Sequence, residues 1–362
     1  WINPDLKTWT KASLKHIPII NYKAAKSNKK LLHGTLADII ESDYQDKKEE
    51  LVEQLATHYE KSDNLSKAKQ YIVQAAEKSK KLYNLREAHD FYKRTINAYT
   101  QTEKTLYSYI NDDLKKLEES EIIKFLNIIN DYAGVLISLG EMEQCQRVLL
   151  EAKSLLDSGI GNKELYCRIC GSIGKMYFEM GEYEKAESKL QIQLDISKEL
   201  KISDKFFDAL LYLSKIMTKR GDYDKAEKHL NYLKEKYSGE NIKVGQIFEE
   251  LGVLNKNRGN FDIALDFYFK HEKICIENNK TQSRLAALGN IGVVYKSLGK
   301  YHKALRMYDR VLLINQDIGD KSVSNKTHGN RGHAFIRLKM YEEALKELEL
   351  QIKICEYSKD KT

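Results

Sequence analysis

The chain has 362 residues, of which 31% are charged and 42% apolar, and its formal net charge is +7. That excess is modest for the length and far from the dense basic patch of a nucleic-acid binder. No stretch approaches the roughly 18 uncharged apolar residues of a membrane-spanning helix, so neither nucleic acid nor membrane insertion is expected.

Residues 1–30 break any regular pattern. Trp1-Ile-Asn-Pro4 and His16-Ile-Pro18 are loop or helix-start signals, and Lys23 to Lys30 is basic and polar. This stretch reads as an irregular cap or the remnant of a preceding domain. The chain opens at Trp1 rather than Met and ends inside a helix-like run at Thr362, the expected look of a piece of a longer or processed protein. No signal peptide is visible in it.

Residues 31–120 read as degenerate helical repeats. Leu31, Leu32, Leu36, Ile39 and Ile40 can share one helix face. Ala56 with Tyr59, Leu65, Ala68 and Ile72 spaces small and aromatic residues across a turn at Asp63-Asn64. Ala76 with Leu85, Ala88 and Tyr92 repeats the spacing 20 residues later. A helix over 66–83 therefore serves one unit as second helix and the next as first. Glu118, Glu119 and Glu121 beside Lys115 and Lys116 read as a solvated face.

Residues 121–362 are expected to form a regular array. In Leu288–Tyr308, a small residue at Gly292 is followed by Tyr295, a corner at Gly299, then Tyr301, Ala304 and Tyr308. Small residues at 292 and 304 let two antiparallel helices approach, and the tyrosines fill the space around the contact. The pattern recurs at Gly332 with Ala344, Gly252 with Ala264, Ser214 with Ala226, and Gly174 with Ala186. A weaker copy pairs Ala133 with Cys145. Corners at Gly140, Gly181, Gly221, Gly259 and Gly299 keep the same phase.

This small–aromatic–small signature resembles the tetratricopeptide repeat, which implies an all-α, right-handed α-α superhelix. The period is about 40 residues rather than the usual 34 or so, as in the repeats of kinesin light chains and of polarity adaptors that bind G-protein regulatory motifs. The usual proline is missing, so the second helices should run on before turning. In residues 31–92, Leu31-Leu-His33, Leu55-Ala-x-His-Tyr59, Ala68-x-x-Tyr71 and Ala88-x-x-Phe-Tyr92 resemble another region. It is the helical segment that follows the ATPase core in signalling ATPases and soluble adenylyl cyclases. The phosphate-binding Gly-x-x-x-x-Gly-Lys-Ser/Thr loop is not in this chain, so no nucleotide chemistry carries over.

No constellation for catalysis stands out. Cys167-Arg-Ile-Cys170 lacks the second pair of a zinc ribbon and reads as helix packing. Five scattered cysteines imply a reduced, cytoplasmic protein. His328 and His333 are five apart and do not share a helix face, His58 reads as packing or capping, and His271 and His302 fall at exposed-looking positions. Tyr177, Tyr183, Tyr223, Tyr295, Tyr301, Tyr308 and Tyr341 sit at template positions that pack between helices. No cofactor or metal is expected, and the chain reads as a non-enzyme.

What remains is a groove. On the first helices, the face expected to be concave carries Arg168, Lys175, Lys215, Lys219, Lys256, Lys296, Lys326 and Arg337 against Glu179, Asp208, Glu249 and Glu250. The same positions nearer the N-terminus carry Glu50, Glu53, Glu60 and Asp131 against Lys61. Asn290 and Asn330 stand two residues before their small anchors, where an amide suits either a peptide backbone or a capping role. Lys326 matches one lysine of the carboxylate clamp of chaperone adaptors, but Glu249, Val253 and Asn330 depart from the rest of that clamp. The expected function is a scaffold or adaptor that holds a protein segment, acidic or phosphorylated, or a partner subunit of a larger assembly. Its contacts would run through Lys175, Lys215, Lys219, Lys256, Asn290, Lys296, Lys326, Asn330 and Arg337. The alternative is the regulatory or sensor arm of a larger signalling ATPase or nucleotide cyclase.

Overall fold

The computed structural model describes residues 29–47, 49–100 and 118–359. The irregular segment expected over 1–30 lies outside the described residues except for Lys29 and Lys30, and so do Lys115 and Lys116. The described residues form sixteen α-helices, one short 3-10 turn at Gln45–Lys47, and no strand. The chain divides into two compact units, Trp1–Ile192 and Gln193–Thr362.

The first unit contains α1 (Lys29–Asp43), α2 (Val52–Glu60), α3 (Leu65–Lys81), α4 (Leu85–Thr100), α5 (Glu119–Leu139), α6 (Met142–Asp157), α7 (Lys163–Glu179) and the first turns of α8 (Tyr183–Glu199). Helix α3 packs against both α2 and α4. Its start is fixed by Asn64, whose side chain accepts from the Lys67 backbone N–H. The small residues Ala56, Ala68, Ala75 and Ala76 are fully buried, and Tyr59, Tyr71 and Tyr92 fill the crossings they open. Helix α5 is long and apolar enough to cross a membrane by length and composition. It also carries Lys124 and Asp131, and Phe125, Leu126, Ile129, Tyr132, Ala133 and Leu136 are wholly buried in the repeat core.

The second unit stacks four helix pairs: α9 (Ser203–Arg220) with α10 (Tyr223–Lys236), α11 (Asn241–Arg258) with α12 (Phe261–Glu277), α13 (Thr281–Ser297) with α14 (Tyr301–Ile318), and α15 (Lys321–Arg337) with α16 (Tyr341–Lys359). From α5 onward, corners of two to five residues join successive helices. The second-helix anchors Ala226, Ala264 and Ala304 are fully buried, and Ala344 nearly so. At Gly252 an added Cβ would stand 2.6 Å from the Tyr268 ring, and at Gly292 it would run into the Tyr308 ring. Glycine is required there because the ring occupies the volume a side chain would need. Each such buried ring contributes about 2–3 kcal/mol of apolar burial.

Two expectations need correcting. His271 is buried, not exposed, because α12 turns it inward against α11. Tyr341 is 65% exposed. No helix follows α16 among the described residues, so nothing there covers the ring that Tyr341 was expected to pack.

Candidate functional site

The first helices of successive pairs lie side by side, α5 with α7 in the first unit, and α9 with α11 and α13 with α15 in the second. Within each unit they form a layer, and polar side chains bridge it from rung to rung. In the first unit Arg168 donates to Asn127 Oδ1 (2.6 Å) and Ser172 to Asn130 Oδ1 (2.8 Å). In the second, Lys215 pairs with Glu250 Oε1 (2.8 Å) and Lys296 donates to Asn330 Oδ1 (2.8 Å).

Burial decides the electrostatics of this layer. Glu250 is buried, and its carboxyl is pushed above the ordinary range although Lys215 works to lower it. Glu249, on the same helix, is pushed up for the same reason. Burial also works against the Lys215 charge, but Glu250 more than compensates and keeps the ammonium protonated. Lys296 is pulled below its usual value by burial. So is Lys256, and Lys219 lowers it further.

Family models described as "Tetratricopeptide repeat" match residues 208–239 and 286–318. The two matches fall on α9–α10 and α13–α14, the helix pairs that carry Ser214 with Ala226 and Gly292 with Ala304. Those two stretches are tetratricopeptide repeats. The chain is similar to a TPR repeat-containing protein of Methanocaldococcus jannaschii, at 27% identity over 228 residues. That alignment covers 58% of this chain and 38% of the relative, so the chain spans well under half the length of the curated protein it matches. Two solved structures share the fold. One is a signal transduction ATPase with numerous domains and a tetratricopeptide repeat sensor from Pyrococcus horikoshii (14% identity, TM-score 0.53, 96% of this chain and 52% of that one). The other is a Rap conjugation gene regulator of a plasmid in complex with a Phr peptide (13% identity, TM-score 0.56, 83% of each chain).

The nine residues singled out from sequence divide by partner. Lys175, in the first unit, is half-buried and engaged in the fold. In the second unit Lys215, Lys296 and Asn330 are tied to other rungs. Arg337 donates to the Tyr301 hydroxyl at 3.1 Å. Lys219 and Lys326 are exposed, and Lys256 and Asn290 half-buried, with no hydrogen-bonding or ion-pair partner among the described residues. Because Glu250 is buried and consumed by Lys215, simple counting of charges along this face misstates what a ligand would meet.

Several polar groups escaped sequence reasoning. His33 Nδ1 and His58 Nδ1 are 2.8 Å apart, joining α1 to α2. His328 meets Glu347 Oε2 at 2.8 Å, and Arg331 bridges Glu347 to Asp309. Glu272 receives both Arg310 and Arg284. Each pair spans different helices, so no local spacing betrays it. Cys167 and Cys170 are both buried in α7.

Proposed function

We propose that the chain is a non-enzymatic scaffold whose first-helix layer, in residues 193–362, receives an extended segment of a partner protein. Tetratricopeptide repeats are protein-interaction modules, and that much is common to the family. The observation that carries the finer reading is the set Lys219, Lys256, Asn290 and Lys326. These are donors on successive first helices, left without partners among the described residues, while Lys215 and Lys296 on the same helices are paired. Unpaired donors on a ridged helical surface suit main-chain carbonyls and acidic or phosphorylated side chains. The similarity to a Rap regulator solved with a peptide supports a peptide as the occupant.

The test is capture of a partner by the purified chain, identified by mass spectrometry, followed by the double reversal Lys256→Glu with Lys326→Glu. Affinity should fall, and wild-type binding should weaken as salt rises. Unaltered affinity at low and high salt would move the site off this face.

A second reading is that the chain is the sensor arm of a signalling ATPase. It is favoured by the similarity to the Pyrococcus horikoshii protein across 96% of this chain and by the resemblance of residues 31–92 to the segment that follows such ATPase cores. A phosphate-binding loop encoded ahead of Trp1 would support it; a coding sequence with no ATPase domain on either side would reject it. On either reading the chain alone should neither hydrolyse ATP nor make cyclic nucleotide. Turnover that co-purifies with it to homogeneity would overturn that expectation.

A further inference from the structure

We infer that the outer face of α16 receives a helix of a partner protein, an amphipathic helix with two arginines seven residues apart. This surface is separate from the first-helix layer, and the inference does not depend on what that layer binds.

The earlier junctions of the second unit set the pattern. Each second helix packs against the first helix of the next pair: α10 against α11, α12 against α13, and α14 against α15. Leu265 stands four residues after Phe261, which opens α12, and Leu305 four after Tyr301, which opens α14. Both leucines are only 9% exposed. Leu265 shares an apolar cluster with Ile291 and Val294 of α13. Leu345 holds the same place on α16, four after Tyr341, and is 60% exposed. Tyr341 and Ile352, on the same stripe, are also more than half exposed. Helix α16 thus presents the face that α12 and α14 bury under the next helix.

Charge says what fits it. At the α10–α11 junction Arg258 donates to Asp224 Oδ1 at 2.7 Å. At the α14–α15 junction Arg331 pairs with Asp309 Oδ1 at 3.3 Å. Asp224 stands one residue after Tyr223, and Asp309 eight after Tyr301. Arg258 stands six residues after its anchor Gly252, and Arg331 one before Gly332. Both pairs obey one antiparallel register, in which seven residues forward on the second helix are seven back on the first. Helix α16 carries a carboxylate at each of these two positions, Glu342 and Glu349; α10, α12 and α14 each carry at most one. Glu342 and Glu349 are exposed and have no partner among the described residues. Residues seven apart lie almost in line along a helix, so one helix with arginines at i and i+7 can pair both while its apolar face covers Leu345 and Ile352. A second copy does not fit. Two α16 helices packed antiparallel would set the Glu342 and Glu349 rows against each other.

The probe is a stapled, fluorescein-labelled copy of α11 (Asn241–Arg258) with Leu251→Arg, which presents two arginines seven apart. Its binding to the full chain is read by fluorescence anisotropy. Saturable binding is expected, about tenfold weaker to Glu342→Lys/Glu349→Lys, where two attractions become repulsions, and to Leu345→Asp. The three substituted residues are exposed, so these variants should melt like wild type. A charge-swapped probe, with Leu251→Glu and Arg258→Glu, should reverse the preference and bind the double variant more tightly than wild type. No saturable binding to wild type, equal binding to wild type and the double variant, or the same preference for both probes overturns the inference. So does a dimer in sedimentation that Leu345→Asp dissolves, because the occupant is then a second copy.

Discussion

Tyrosines cross the helix pairs at both ends of this chain, and they do so by different means. Around α1–α3, the Tyr59 hydroxyl lies 2.6 Å from Glu41 Oε2 and 2.8 Å from Asp38 Oδ1, and the Tyr71 hydroxyl 2.6 Å from Glu41 Oε1. Lys67 closes the cluster on Glu41 and Asp38, and the two rings stack with centroids 5.3 Å apart. In α11–α14, Tyr268 and Tyr308 are as deeply buried, but their hydroxyls have no partner. There the ring lies over a glycine and serves as volume. One region uses tyrosine for its hydroxyl and the other for its ring, so the same residue should respond to mutation in opposite ways.

The largest effect should come from filling the space the rings occupy. Gly292→Val places branched carbon inside the Tyr308 ring position, and neither helix can withdraw without disturbing the next pair. A loss of about 3 kcal/mol is expected in urea denaturation. Ala226→Trp, at a fully buried anchor, should cost about 1–3 kcal/mol by the same overpacking. Gly134→Ala is the control: nothing lies within 4 Å of its added Cβ, and the gain in helix propensity should leave stability equal or up to about 1 kcal/mol higher. If Gly292→Val melts like wild type, the phase of the repeats is misassigned.

Next in size is the hydroxyl test. Tyr59→Phe removes a hydrogen bond to charged carboxylates and should cost about 1.5–3 kcal/mol. Tyr308→Phe removes an oxygen that has no partner and should be neutral or slightly stabilising. Equal losses for both would end the contrast. The same cluster sets an acid limit. Burial works to raise the Glu41 pKa, but hydrogen bonds from Lys67, Tyr59 and Tyr71 outweigh it and hold the carboxyl at about 2. A depressed acid contributes stability above its ordinary pKa and loses it as pH falls. The α1–α3 region should therefore weaken between about pH 4.5 and 2, and Glu41→Gln should remove that dependence.

Much of the fold was legible because it is local. Small residue, aromatic and corner glycine recur within one helix pair, and each pair repeats the last. The site was less legible because its chemistry lies between pairs. Lys215 and Glu250 are 35 positions apart, and only their shared burial shows that they cancel. Lys256 with Asn290 and Lys296 with Asn330 read identically in sequence, yet of the two only Lys296 and Asn330 are joined by a hydrogen bond among the described residues. His271 faces the core because α12 turns it inward against α11, which its spacing alone did not reveal.

A third prediction sets two carboxylates of the first unit against each other. Both oxygens of Glu151, on α6, are buried without a partner. Burial pushes its pKa up to about 7, with Arg147 pulling weakly the other way. A raised acid carries a penalty above its folded pKa, which fades as pH falls towards the ordinary value. Stability should thus rise as pH falls from about 7 to about 4.5, the opposite slope to that of Glu41. Glu151→Leu should stabilise by about 1–3 kcal/mol at pH 8 and by little at pH 5. A pH-independent gain would mean that the carboxylate finds water.

The smallest effect concerns a corner. Gly299 turns the α13–α14 pair at φ 70°, and Lys339 turns the α15–α16 pair at φ 59°. The hydrogen bonds are the same: residue 299 or 339 donates to the carbonyl of Lys296 or Ile336 at 3.0 Å, and the next residue to Tyr295 or Phe335 at 2.9 or 3.0 Å. Geometry is conserved between the two corners while the residue is not. A side chain in the left-handed region costs about 1–2 kcal/mol. Glycine avoids that strain but gives the unfolded chain about 0.5–1 kcal/mol more entropy to lose. Lys339→Gly should therefore stabilise α15–α16 by about 0.5–1 kcal/mol, and Gly299→Lys should destabilise α13–α14 by a similar amount. Hydrogen exchange of the amides in each pair reads these locally, where a global melt would blur them. If Lys339→Gly speeds exchange in α15–α16, the lysine must be making a contact that outweighs its strained backbone.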